Sequence, residues 1–453
     1  MTVATSRAMS ILGQFVAEAV PPEMARARAA TAMLDTVGVT VAGAGEPASC
    51  IVQCFVAGDG AQTCCVLGTR IRASASGAAL ANGTAAHALD YDDMCFVSLA
   101  HPSAPLVATV LAAGELVRAP GRALLDAYIV GFEIEARLGL IMNPRHYQRG
   151  WHCTSTLGTI GTTAAASRLL ELNATETGHA LAIAASEASG LKENFGTMVK
   201  PLHAGLAARN GVAAAQLARG GLTASELAID GPQGLLNAMD SQSSALGEVT
   251  ADLGTRWEIV DTGICVKLYP SCAGTHPTLD ALLELRRHEA FSADDVDRID
   301  VAVDSITPTV LIYERPTTGL EAKFSMPFCA AAAVAYGRVG IDTFEAERVQ
   351  DPIVRALLPR VAMHVDPALD NDAPPLTQAH VSVHLRSGRV LTMAANGARG
   401  SPDRPATNEE LEAKFVACAR RSISEASAER ALTMLRRFET LEDVRELLAS
   451  LEA

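Results

Sequence analysis

The chain has 453 residues, 49% hydrophobic and 19% charged, which is enough apolar material for a large core and too little charge for a disordered chain. A formal net charge of -14 at pH 7 excludes the basic face that nucleic acid needs and works against an anionic membrane surface. Ten Cys occur without a Cys-x-x-Cys spacing, so buried free thiols in a reducing compartment fit better than disulfides or a Cys-built zinc site.

From the N-terminus, Met1 to Val20 lacks a signal peptide's layout, because Gln14 and Glu18 interrupt any apolar stretch. No apolar run reaches the ~18 residues that span a bilayer, so a cytoplasmic location is expected. Ala30, Met33, Leu34, Val37 and Val41 share one helical face, which Gly43 and Pro47 close. Ala-rich helices are predicted over 75–90, 102–117, 155–171 and 174–190. Pro201 is expected to break the next segment, which resumes over 205–219. This series predicts an all-α domain up to about residue 266.

The pattern then changes. Ile299, Val301 and Val303 alternate with polar residues, as do Val361, Met363 and Val365, and Val381, Val383 and Leu385. Ser387-Gly388 reads as a hairpin turn into Val390 and Leu391. Helical stretches over 277–288 and 322–336 lie among these strands. After the Gly397–Pro405 loop, Asn408, Leu411, Phe415 and Cys418 open helices that run to the C-terminus. The fold class is mainly α. An all-helical domain is built from both chain ends (1–266 with 401–453), and a smaller α+β lid occupies 267–400.

Four clusters carry candidate chemistry. The first runs from Asn82 to Asp93 and on to His101-Pro102-Ser103, with Asp90, Asp92 and Asp93 inside four residues. His87 and Asp90 share a helix face if the helix persists. These residue types could also hold a divalent ion. The Asp-x-Asp-Asp pattern matches that of protonating terpene cyclases, but 4% aromatics gives little with which to line a carbocation pocket. The second cluster holds His146, Tyr147, Trp151 and His152. A helix follows it whose N-cap is expected at Thr154 or Ser155, a favourable place for a carboxylate. The third is Lys200, His203 and Arg209. The fourth is Lys267, Tyr269, Cys272 and His276, where Lys267 sits among apolar residues, a setting in which lysine acts as a base. A phosphate-binding Gly loop, a Gly-x-Ser-x-Gly elbow and a His-Glu-x-x-His helix are absent. A cofactor-free site of His, Tyr, Lys and Asp fits proton abstraction next to a carbonyl or carboxylate.

In order, these clusters resemble the 2-methylcitrate dehydratase (MmgE/PrpD) family. The matching stretches are Asn82 to Asp93, His101 to Pro105, Gly150 to Thr154, Leu181 to Gly190, Lys200 to Arg209, Lys267 to Cys272, Ala322 to Pro327 and the Gly397–Pro405 loop. The resemblance covers nearly the whole chain. It implies the helical domain and lid just described, a cleft between them, a homodimer, and a small di- or tricarboxylate substrate handled without metal or nucleotide. Carried over, Asp92 or Asp93, His101, His152, Lys200 and Lys267 match active-site positions of the family's cis-aconitate decarboxylase. A further His of that enzyme falls on Cys272 and its lid Tyr on Phe328, departures that argue against itaconate formation. Tyr147 and Lys267 match the facing pair of the family's iminodisuccinate epimerase. The expected activity is a dehydratase-type lyase that removes a proton α to a carboxylate. Epimerisation, decarboxylation and non-catalytic carboxylate binding are the alternatives. Lys267 or Tyr147 is expected as base, His152 or His101 as acid, with Asp92 and Asp93 beside them. Lys200, His203, His87, Thr154, Tyr269 and Cys272 are expected to hold the substrate.

Overall fold

The structure is a computed structural model that describes residues 7–239, 245–370 and 378–453; the start of the Met1–Val20 stretch therefore lies outside the described residues. Helices Glu23–Gly43, Ala75–Ala88, Ser103–Val117, Gly121–Met142, Cys153–Leu169, Ala174–Glu187 and Val199–Arg219 pack into one body. Helix Asn408–Ala419 from the chain's end joins the same core, where Phe415 and Leu432 lie with Val37 and Val110. Among the described residues no single helix is long and apolar enough to cross a membrane.

Small residues set the helix spacing. Helices Ala75–Ala88 and Val199–Arg219 cross where Gly83 meets Gly205: a Cβ on Gly83 would stand 2.9 Å from Gly205 Cα. Their backbones touch at that point, which places His87 on one helix beside Lys200 on the other. Pro201 does not break its helix. It lies in the first turn of Val199–Arg219, where its missing N–H costs nothing.

The lid has a core of its own, including Leu282, Val301, Phe328, Ala331 and Val383. Its four-stranded sheet runs in the order Val361–Val365, Val296–Val303, Gln378–Leu385, Val390–Asn396. The first pair is parallel and the others antiparallel, with Val301 opposite Val381 and Val383 opposite Leu391. Helices His276–His288 and Met326–Tyr336 cover the sheet. The helix expected over 322–336 is interrupted at Lys323 and Phe324. Ser325 caps a new helix there by accepting the Phe328 N–H.

Candidate active site

Two short pairings assemble the site. Met94 and Cys265 exchange backbone hydrogen bonds of 2.9 and 2.8 Å, which fastens the acidic loop to the strand-like segment carrying Lys267. His152 donates its N–H to Gly190 C=O at 3.0 Å. Gly190 has φ +124, and a Cβ there would lie 2.6 Å from Ser155 Cβ, so only glycine lets the two segments meet.

Helix Ala75–Ala88 does not persist to Asp90, contrary to expectation. It ends at Leu89, and Asp90 takes φ 52. Asp tolerates this left-handed turn, which swings its carboxylate towards Lys200. Three lysines distant in sequence then hold three successive carbonyls of the loop. Lys323 Nζ donates to Leu89 C=O at 2.6 Å, Lys267 to Asp90 C=O at 3.0 Å and Lys414 to Tyr91 C=O at 2.9 Å. Cations at a helix C-terminus meet its partial negative charge. Lys414 also sits 2.7 Å from Asp35 Oδ1 and donates to Lys267 C=O at 2.8 Å, so the C-terminal helix supports the site from below.

Asp90 Oδ1 lies 2.7 Å from Lys200 Nζ and 3.2 Å from Lys267 Nζ. Burial opposes its ionisation, but the two ammonium groups outweigh that and hold the carboxyl well below the usual range. Lys200 also donates to His87 Nε2 at 2.8 Å. Lysine only donates, so the His87 proton is on Nδ1, facing Asp92 Oδ2 at 2.8 Å. His87, Asp90, Asp92 and His101 offer donor atoms within 4.8 Å of one another, the spacing of a metal site. Lys200 Nζ occupies the bonding positions of two of them, so this donor set is already matched to an ammonium.

His101 donates Nδ1–H to Asp93 C=O at 2.8 Å, which leaves Nε2 as a bare lone pair. Burial, then the Lys267 and Lys200 charges, push its imidazolium form well below the usual range, so it stands neutral. His152, at the cap position of helix Cys153–Leu169, is neutral for the same reasons: burial, then Lys200. Its Nδ1 is 2.9 Å from His203 Nδ1, and its buried Nε2 has no partner.

A small cavity of about 60 Å³ lies between helical body and lid. Asp90, His101, Tyr147, His152, Lys200 and Cys272 are among its lining residues. Its histidines and lysine come from the helical body, with Met94, Phe96, Leu99 and Phe195 beside them, whereas the lid contributes Ala273, Ile306, Val310 and Phe324 together with the polar Asp304 and Thr307.

Of the expected site residues, His101, Tyr147, His152, Lys200 and Cys272 line the cavity, and Lys267 stands behind Asp90. The others do not face it. Asp92 is the partner of His87. Asp93 turns to Ser103, and burial pushes its carboxyl up to about 8. His203 lies behind His152. Thr154 is not the N-cap; it lies in the first turn, where its hydroxyl accepts the His101 N–H at 3.0 Å. Tyr269 donates to Asp280 at 2.7 Å inside the lid. Phe328 is fully buried in the lid core, 5.7 Å from the Phe344 ring, and is not among the residues that line the cavity. Asp90 was not expected among the acting residues; its place in the first cluster was visible, but the turn that aims it was not.

An inserted lid over a helical body, with paired lysines and neutral histidines at the seam, defines a two-domain class that family comparison identifies. Residues 11–245 match the MmgE/PrpD N-terminal domain and 269–440 the MmgE/PrpD C-terminal domain, and the chain belongs to this family. It is 31% identical over 386 residues to cis-aconitate decarboxylase of Homo sapiens, covering 82% of this chain and 78% of that protein. Against the Mus musculus cis-aconitate decarboxylase, identity is 30% over 382 residues, 81% of this chain and 76% of the other. A cis-aconitate decarboxylase-like protein of Aspergillus oryzae is 29% identical over 409 residues, 85% and 84% of the two chains.

Proposed function

We propose that this chain is a cofactor-independent lyase that acts on a small, partly apolar di- or tricarboxylate through a carbanion next to a carboxylate. The carrying observation is Lys200 and Lys267 on one oxygen of Asp90, beside the neutral His101 and His152. A carbanion α to a carboxylate spreads its charge onto carboxylate oxygens, and preorganised cations are the groups that stabilise it. Ala273, Ile306, Val310 and Phe324 of the lid, beside an Asp304 whose carboxylate is taken up by Ile306 and Thr307, support a substrate with an uncharged or alkyl portion on that side.

Decarboxylation is the first reading, supported by the similarity to cis-aconitate decarboxylases over four-fifths of the chain. A carboxylate leaves as CO2, its electron pair passes into the neighbouring unsaturated acid, and His152 supplies a proton to carbon. Dehydration is the second, and one observation favours it: the bare Nε2 of His101 is a base, which decarboxylation does not need. His101 would take the α-proton and His152 protonate the leaving hydroxyl. The two-base epimerase reading loses support, because Lys267 is bound to Asp90 as a donor and burial holds the Tyr147 hydroxyl protonated.

The test is a paired panel of citrate with 2-methylcitrate and cis-aconitate with its methyl homologue, followed by CO2 release and mass spectrometry of the products. Loss of 44 mass units marks decarboxylation and loss of 18 dehydration, with the methylated member of a pair preferred. Turnover of neither pair removes the proposal.

A further inference from the structure

His203 has no place in the cavity, yet it is buried against His152, a cavity residue whose Nε2 has no partner. His152 Nδ1 and His203 Nδ1 are 2.9 Å apart, and their ring centroids 5.2 Å. His152 lines the cavity, and its Nε2 is buried without a hydrogen-bond partner. His203 is 5% exposed, and among the described residues its Nε2 has no protein partner and is not one of the sealed unpaired atoms. The two rings therefore set four nitrogens in line, from the cavity-lining His152 to the outer nitrogen of His203 on helix Val199–Arg219.

We propose that His203 is a proton relay and positioning residue that recharges His152 from solvent while the cavity is closed. This inference rests on the lyase reading above. Chemistry explains the need. Decarboxylation with protonation consumes one proton per turnover, and a neutral imidazole cannot surrender its N–H unless its other nitrogen gains a proton at the same time. Lys200, 5.2 Å and 5.4 Å from the Phe324 and Phe195 rings, keeps that corner of the cavity cationic and so disfavours a stored imidazolium. In the relay His152 gives its Nε2 proton to the substrate carbon, His203 passes its Nδ1 proton to His152 Nδ1, and His203 Nε2 takes a proton from water. Both rings begin and end neutral, each in its other tautomer. When product leaves, water entering the cavity protonates His152 Nε2, and the Nδ1 and surface protons move back outward, restoring the start.

The test compares wild type with H203N and H203A. Asn keeps an amide where Nδ1 stood, so it holds His152 in place but cannot pass a proton on; Ala loses both functions. The relay predicts that H203N lowers kcat about 10²-fold, the low end for a lost acid–base function, with KM within twofold. It predicts that imidazole buffer restores H203A activity in proportion to its concentration. Solvent exchange of the His152 ring N–H, read by NMR of 15N-histidine protein without substrate, should slow in H203N. H203N with wild-type kcat and wild-type exchange would overturn the relay. Failure of imidazole to rescue a folded H203A would do the same. A wild type inert towards every acid but showing fast exchange that H203N abolishes would support the relay and sink only the lyase reading.

Discussion

Replacing Lys200 with Met removes an ammonium that meets Asp90 Oδ1 at 2.7 Å and His87 Nε2 at 2.8 Å, while roughly keeping the side chain's volume. Asp90 would retain only Lys267 at 3.2 Å, and its Oδ2 already has no hydrogen-bond partner. Removing one member of a buried pair costs roughly 3–5 kcal/mol, because the remaining charge stays buried. Unfolding entropy of ~2.1 cal/mol/K per residue amounts to about 1 kcal/mol/K over 453 residues. The melting temperature should therefore fall by about 3–5 °C. Loss of a preorganised cation should lower kcat further, by about 10²–10³-fold. Scanning calorimetry and turnover at saturating substrate measure the two effects. A Lys200→Met protein that melts within 1 °C of wild type and keeps a third of its kcat would refute both the ion pair's weight and the cationic site built on it.

His101→Asn keeps an amide donor near Asp93 C=O but has no base; in dehydration kcat should fall about 10²–10⁴-fold with KM little changed, and an unaltered kcat would remove His101 as base. Lys414→Met leaves Asp35 buried opposite nothing and should cost roughly 3–5 kcal/mol, read in urea denaturation; a loss below 1 kcal/mol would contradict the support given to Lys414. Burial holds His146 and His203 at about 4 and His276 at about 3, and also lowers His87, His101 and His152. Unfolded histidine titrates near 6.5, so this stability is whole above about pH 6.5 and is lost as pH falls towards the folded values. Burial raises Asp93 and Glu135 to about 8 and Glu133 to about 7, the opposite sign, so their contribution is whole below the unfolded carboxyl value of about 4 and is lost as pH rises from there through 7–8. With Asp35 and Glu187, which burial also raises, five carboxyls stand against the six histidines on the acid side, and Tm should peak near pH 7; a Tm that climbs from pH 6.5 to 5 would contradict this. EDTA should leave activity unchanged, since Lys200 fills the bonding positions a cation would use, and loss of half the activity would return the His87–Asp90–Asp92–His101 set to a metal role.

Much of the fold is readable in the sequence because most elements bury one face. Val381, Val383 and Leu385 alternate inward, and the Ser387-Gly388 turn closes the hairpin with Gly388 at φ 88. Helix Gly121–Met142 escaped the same reading because it is buried nearly all round, including Glu133, Glu135 and Arg137, and leaves no polar face to set a period. The site shows the same division. Cluster composition pointed to His101, His152, Lys200 and Lys267, which do converge. What composition could not carry was direction. A single left-handed residue turns the carboxylate of Asp90, rather than those of Asp92 and Asp93, towards Lys200 and the cavity. His203, three residues after Lys200 on one helix, points past the cavity to the back of His152. Tyr269, two residues after Lys267, points into the lid. Lys414 reached the site from a helix whose Asn408, Glu409, Glu410 and Glu412 make it look like any solvated charge, and Lys323 from the Ala322 to Pro327 stretch, where composition alone gave it no role.

The most direct test of carbanion chemistry is proton NMR of wild-type enzyme in D2O with cis-aconitate, 2-methylcitrate and their homologues, with Lys200→Met as control. The lyase account predicts solvent deuterium at one carbon of a decarboxylated product, or a new alkene signal with α-deuterium exchange, and loss of either in the control. Substrates unchanged and free of deuterium throughout the panel, with Lys200→Met indistinguishable from wild type, would contradict it.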